Sequence, residues 1–196
     1  MNNITIDIAI LPPEDIMSLC IDINKKAHLV GNDKGQLNKT DFLPHITLAM
    51  GTVKEKDFQK LIQKVELIVS KFSKLNLTLE KFYFITDKTG KRCYGFKITG
   101  EKLQQLHETL MDELNHLISN EGKKESTYDQ AEIPTFANEY DKYSYKKYFP
   151  HITLKCREIN EIFEKKSFIT SRIAICHLGI SSTCRKILFE TKLKQN

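Results

Sequence analysis

Glycine and proline are scarce, 8 and 5 in a chain of 196 residues. That scarcity excludes collagen-like and linker-like chains. No stretch approaches the roughly 18 unbroken apolar residues of a membrane-spanning helix. The first twelve residues interrupt their apolar run with Asp7 and show neither a basic start nor a small-residue cleavage site. No secretory signal is therefore expected. The five cysteines (Cys20, Cys93, Cys156, Cys176, Cys184) are odd in number, scattered, and form no C-x-x-C pair. This pattern fits reduced thiols in a cytoplasmic protein rather than a disulfide framework or a zinc site. A Walker-type glycine-rich loop and a G-x-G-x-x-G fingerprint are both missing, which leaves ATP- and dinucleotide-dependent chemistry without support. What is present is a globular composition: 40% apolar and 28% charged residues, with 30 Lys+Arg against 25 Asp+Glu and a net charge of +5. The length fits one domain, or one domain of two lobes. The charge leans mildly toward an anionic partner.

Periodicity along the chain predicts a mixture of elements. Thr5 to Leu11 reads as a strand ended by Pro12-Pro13, and Ile16, Leu19, Cys20, Ile23 and Ala27 mark one face of a helix. A short apolar segment, Phe42 to Val53, precedes a second amphipathic helix through Phe58, Leu61, Ile62, Val65, Val69 and Phe72. Leu75 to Thr86 and Cys93 to Thr99 form a hairpin about Asp87-Lys-Thr-Gly90. A third helix carries Leu103, Leu106, Leu110, Leu114 and Leu117. Residues 119–147 lack periodicity and read as a long loop or insertion. A strand at His151, a short helix over 158–165, and strands at Arg172 to Ile180 and Lys186 to Leu193 complete the chain. The class is α+β with antiparallel sheets.

One feature stands above this background. Pro44-His45-Ile46-Thr47-Leu48 recurs letter for letter as Pro150-His151-Ile152-Thr153-Leu154, and Phe42 and Tyr148 each lie two residues before the proline. The chance of such a five-residue repeat is on the order of 1 in 100 in a chain of this size. On a strand, His and Thr share one face while Ile and Leu share the other. Each copy can thus anchor in a core and present an imidazole and a hydroxyl opposite. Two imidazoles around one small site can divide proton transfer, one accepting from the attacking group and the other protonating the leaving oxygen. The threonine hydroxyls can hold non-bridging phosphate oxygens between them. Plain core strands with a terminal histidine are the bland alternative. Metal binding by the two histidines ranks low, since no Asp, Glu or Cys lies nearby at ligand spacing.

The two His-x-Thr-x copies, about a hundred residues apart, resemble the two-histidine (2H) phosphoesterase superfamily. That group includes the bacterial RNA 2′,5′-ligases and the cyclic nucleotide and 2′,5′-oligoadenylate phosphodiesterases. The resemblance implies a bilobed α+β fold with two pseudo-symmetric lobes, each an antiparallel sheet flanked by helices, and an active-site groove between the sheets. The whole chain, 1–196, would form this one unit, with the insertion at about 119–147. The implied activity is metal-independent, two-histidine cleavage of a phosphodiester or 2′,3′-cyclic phosphate. The substrate would be an RNA terminus, a 2′,5′-oligonucleotide or a cyclic nucleotide. His45 and His151 would be the acid/base pair, and Thr47 and Thr153 the phosphate-orienting hydroxyls. Neither cofactor nor metal is expected, nor any membrane partner; the expected state is a cytoplasmic monomer. The alternative is a binding module that holds a nucleotide or RNA end in the same groove without cleaving it.

Around the motifs, alternation places Lys155 on the face of His151 and Thr153, where its charge can meet a phosphate; Arg157 follows if the strand persists. Tyr148 and Phe149 abut the second motif and are candidates for lining the substrate site. The more distant Tyr128, Tyr140, Tyr143 and Tyr145, among Phe136, Lys142, Lys146 and Lys147, can either stack on bases or pack the loop. His177 is expected as a satisfied or edge histidine. His28, His107 and His116 are expected at helix surfaces. Arg185, near a hairpin tip, is a weaker candidate for an anion contact.

Overall fold

The computed structural model describes residues 2–27, 36–86, 92–121, 123–130, 144–154 and 163–195. The elements run β1 (Asn3–Leu11), α1 (Glu14–Ala27), β2 (Ile46–Lys54), α2 (Phe58–Val69), β3 (Leu75–Thr86) and β4 (Arg92–Gly100). Then follow α3 (Leu103–Leu114), β5 (His151–Thr153), β6 (Lys166–Thr170), β7 (Arg172–Gly179) and β8 (Thr183–Lys192). They build two four-stranded sheets, ordered β2-β1-β7-β8 and β5-β4-β3-β6. Every pairing within the sheets is antiparallel. The architecture is the bilobed α+β one, with a groove between the sheets. Both motif strands, β2 and β5, are edge strands of their sheets.

The central strand β1 is buried from Thr5 through Leu11, which explains its near-continuous apolar run. Ile6, Ile8 and Ile10 enter the main core with Ile46, Leu48, Ile173 and Ile175. Ala9 and Leu11 enter a smaller cluster with Met17, Leu43, Ala174, Cys176 and Cys184. By the same alternation Asp7 falls on the face of Ala9 and Leu11, a fully buried carboxylate amid small and apolar side chains. The three helices close the core: Ile16, Cys20 and Ile23 from α1, Leu61, Val65, Ile68 and Val69 from α2, and Leu103, Leu106, Leu110 and Leu114 from α3. Asn24 ties α1 to the second motif, donating from Nδ2 to the Leu154 carbonyl at 2.6 Å while its Oδ1 accepts from the Leu37 N–H at 2.9 Å.

Two expectations need correction. His107 lies in the core at 2% exposure, not on a helix surface. It falls four residues after Leu103 and three before Leu110, on the apolar stripe, and its polar atoms are satisfied: Nδ1 donates to the Leu48 carbonyl at 2.6 Å and Nε2 accepts from the Tyr145 N–H at 2.9 Å. Strand β6 carries little periodic signal, since Lys-Ser-Phe-Ile-Thr is an edge strand whose alternation is brief. The helix expected over 158–165 falls largely outside the described residues, and 163–165 form no regular element.

Parts of the aperiodic stretch 119–147 are held to the body. Thr52 and Ser119 exchange both backbone hydrogen bonds at 2.8 Å, and the Tyr128 N–H donates to the Leu178 carbonyl at 2.9 Å. Short 3₁₀ turns occupy Lys124–Ser126 and Tyr145–Lys147. Phe136, Tyr140, Lys142 and Tyr143 lie outside the described residues, as does His28. No helix among the described residues is long and apolar enough to cross a membrane.

Candidate active site

The same local device fixes both histidines. His45 Nδ1 donates to the Leu43 carbonyl at 2.7 Å, and His151 Nδ1 donates to the Phe149 carbonyl at 2.7 Å. In each case the acceptor belongs to the residue before the motif proline, a position that proline holds extended. A carbonyl only accepts, so Nδ1 carries a proton in both rings and Nε2 is the atom that can gain or lose a second one. Beneath the rings, Ile46, Leu48, Ile152 and Leu154 are buried to within 1%. Thr47 and Thr153 are part-exposed on the opposite face with the histidines. His45 itself immediately precedes β2, whereas His151 opens β5.

Several contacts bring the two copies together. The Tyr148 hydroxyl donates to the Thr47 carbonyl at 2.8 Å, so the residue leading into one motif bonds the backbone of the other. Its ring stacks on His107 with centroids 3.9 Å apart and planes 5° from parallel. Burial, reinforced by the charge of Asp7, pushes the Tyr148 phenol above its ordinary range. His151 titrates below an ordinary histidine. Burial is the main cause and the positive charge of His45 adds to it, against opposing contributions from the Phe149 carbonyl and from Asp7.

The surroundings of the copies differ. His45 Nε2 lies 3.4 Å from Asp7 Oδ2, and Thr47 Oγ1 donates to the same oxygen at 2.7 Å. The other carboxylate oxygen, Oδ1, is buried without a hydrogen-bond partner. The Cys184 thiol beside Asp7 is held well above the usual range, first by burial and then by Cys176 and Asp7. It is therefore the opposite of an activated nucleophile. His151 instead meets aromatic rings: Tyr83 edge-on at 5.4 Å and Phe149 at 5.7 Å. Tyr83, Gly95 and Thr153 form one register row across β3, β4 and β5. A Cβ on Gly95 would stand 2.5 Å from the Ile152 carbonyl and 2.8 Å from the Tyr83 ring. Only glycine lets that ring fold over the sheet toward the motif.

The other residues singled out from the sequence fall as follows. Lys155 and Arg157 lie outside the described residues. Lys97 is paired in register with His151 and exposed, which puts a cation on the groove side of the second sheet. Arg185 is only 9% exposed; its guanidinium carbon sits 3.6 Å over the Phe42 ring, and one nitrogen is 3.1 Å from Asp129 Oδ1. His177 is satisfied as expected, donating from Nε2 to the Ser126 carbonyl at 3.0 Å. His116 is exposed, as expected. The residues missed are Asp7, Tyr83 and Lys97. The signal for Asp7 is visible in the sequence, a lone carboxylate in the isoleucine-rich run from Ile4 to Leu11. Tyr83 and Lys97 carry no such mark, since only strand register delivers them. The objection to a third ligand near the histidines also fails in three dimensions. Asp7 from β1 and Cys184 from β8 come beside His45 although they stand 38 and 139 residues from it in the chain.

Known structures share this architecture. The chain matches TT0787 of Thermus thermophilus with a TM-score of 0.63 at 16% identity, covering 98% of this chain and 100% of that one. It matches E. coli LigT, solved with NADP+, with a TM-score of 0.58 at 16% identity over 98% of this chain and 99% of the other. LigT solved with 3′-AMP gives a TM-score of 0.53 at 16% identity over the full length of both chains. No curated protein matches the sequence. The model of the 2′-5′ RNA ligase superfamily matches residues 34–166, more than half of the chain, and includes both motifs. The protein belongs to that superfamily.

Proposed function

We propose that the protein is a metal-independent phosphodiesterase acting on RNA termini, 2′,5′-oligonucleotides or cyclic nucleotides, with His45 as general acid and His151 as general base. The observation that carries this reading is the unequal setting of two equally oriented imidazoles. Half-buried beside two aromatic rings, His151 is held below an ordinary histidine and presents a neutral, basic Nε2. His45 faces the Asp7 carboxylate, and an adjacent negative charge favours the protonated ring. A base and an acid are thereby both ready at one pH. His151 takes the proton of the attacking hydroxyl or water as the new O–P bond forms. His45 Nε2–H delivers its proton to the departing ester oxygen as the old bond breaks. Thr47 and Thr153 orient the phosphate, while Tyr148 and Phe149 with Lys97 supply the rim; Lys155 joins them on the sequence argument. That LigT has been solved with 3′-AMP and with phosphate supports a nucleotide-type ligand in this fold.

A panel of a 2′,3′-cyclic nucleotide, 2′,5′- and 3′,5′-linked oligonucleotides and cyclic dinucleotides, each with EDTA, tests this. Cleavage that survives EDTA is expected. Tight binding without product would establish the binding module instead, and activity lost on chelation would overturn the metal-independent mechanism.

A further inference from the structure

The side chains of Asp7, His45 and Cys184 each bring one donor atom within 4.8 Å of the others. Tetrahedral zinc, with bonds of about 2.0–2.3 Å, needs donors roughly 3.3–3.8 Å apart. The 3.4 Å between His45 Nε2 and Asp7 Oδ2 already meets that spacing, and the Cys184 sulfur lies within 4.8 Å of both. We propose that Asp7, His45 and Cys184 form a binding site for a thiophilic divalent ion such as zinc, and that the ion shuts off turnover by taking the Nε2 of His45.

Four observations converge on it. Asp7 Oδ1 is buried with no hydrogen-bond partner, an unmet acceptor on one of the three donor residues. His45 Nδ1 is committed to the Leu43 carbonyl, which leaves Nε2 as the metal-facing nitrogen, and Thr47 Oγ1 bonds the carboxylate. These are the outer contacts that orient imidazole and carboxylate ligands. The Leu43 N–H also bonds the Cys184 carbonyl at 3.1 Å, locking the His45 segment to the strand that carries the sulfur. Finally, charge balances: a dication with one carboxylate, one thiolate and a neutral imidazole sums to zero, as a buried site demands. Thiolate and imidazole select zinc-like ions over magnesium or calcium, which prefer oxygen ligands. With side-chain exposures of 14% for His45 and 1% for Asp7, the ion arrives from the groove past the histidine. Binding releases the Cys184 thiol proton to solvent as the metal–sulfur bond forms.

Binding is independent of the activity proposed above; only its inhibitory consequence rests on it. The full chain, freed of metal by chelation, is titrated with cobalt(II). One equivalent should produce a thiolate-to-cobalt charge-transfer band, which one equivalent of zinc abolishes. Cys184→Ser should lose the band, Cys176→Ser should keep it, and Asp7→Asn should weaken cobalt affinity at least tenfold. Zinc should lower turnover of a cleaved substrate at least tenfold, saturating where it displaces cobalt. No band at one equivalent in the wild-type chain overturns the site, as does a band that persists in folded Cys184→Ser. If that variant does not fold, unchanged affinity in Asp7→Asn overturns it. Zinc binding that leaves turnover intact overturns the inhibition. A cobalt band in a protein that cleaves nothing would leave the site standing and remove the phosphodiesterase reading alone.

Discussion

The two copies of Pro-His-Ile-Thr-Leu are identical in sequence and in local geometry, yet they stand in different chemistry. Both rings donate to a carbonyl two residues back at the same 2.7 Å. Beyond that bond, His45 has a buried carboxylate at 3.4 Å and His151 has a pair of aromatic rings. The pentapeptide makes an oriented imidazole on an edge strand. What the imidazole does is set by its neighbours, β1 on one side and β3–β4 on the other.

The largest test separates the copies by leaving group. His45→Ala and His151→Ala should each reduce kcat by about 100-fold or more on a natural ester, the usual worth of general acid–base catalysis. With an activated nitrophenyl ester, whose leaving group needs no proton, the His45→Ala defect should shrink and the His151→Ala defect should persist. Equal defects on both esters would erase the distinction between acid and base.

Asp7→Asn retains an acceptor for the Thr47 hydroxyl and removes the charge beside His45. We expect kcat to fall roughly tenfold, about 1.4 kcal/mol. Asp7 also raises His151, so its loss should move the acid limb of the pH–rate profile to lower pH. An acid limb that stays in place would remove Asp7 from the field at His151.

Gly95→Ala acts on the second copy alone. Its Cβ meets the Ile152 carbonyl and the Tyr83 ring, and such overpacking costs about 1–3 kcal/mol. Denaturant unfolding measures that loss, and the defect in kcat should match His151 variants on both esters.

The smallest effect is one of pH on stability. His151 and His107 both titrate below an ordinary histidine, chiefly through burial. The unfolded chain therefore binds more protons once pH drops below about 6.5, and stability is lost progressively from there downward. Melting temperatures between pH 7.5 and 5 should show the decline, and His107→Gln should flatten part of it. Tyr148→Phe, which removes the hydrogen bond between the copies, should cost about 1 kcal/mol at either pH.

Much of the fold was legible before any coordinates. The hairpin of β3 and β4, the three amphipathic helices and the half-buried motif strands follow from periods of two and of three to four residues, which local sterics and burial impose. Strand β6 escaped because five residues at a sheet edge show too little alternation, and His107 because a histidine on an apolar stripe looks polar until its partners are seen. The sequence alone determined that two imidazoles and two hydroxyls would be presented on strands, since that depends only on alternation and on prolines placed before each histidine. Only the tertiary structure decided that the pair is unequal. Asp7, Cys184, Tyr83 and Lys97 reach the motifs through strand order and register, which bring together residues far apart in the chain. The electrostatic field at each Nε2 depends on those neighbours, and the pentapeptide itself cannot encode it.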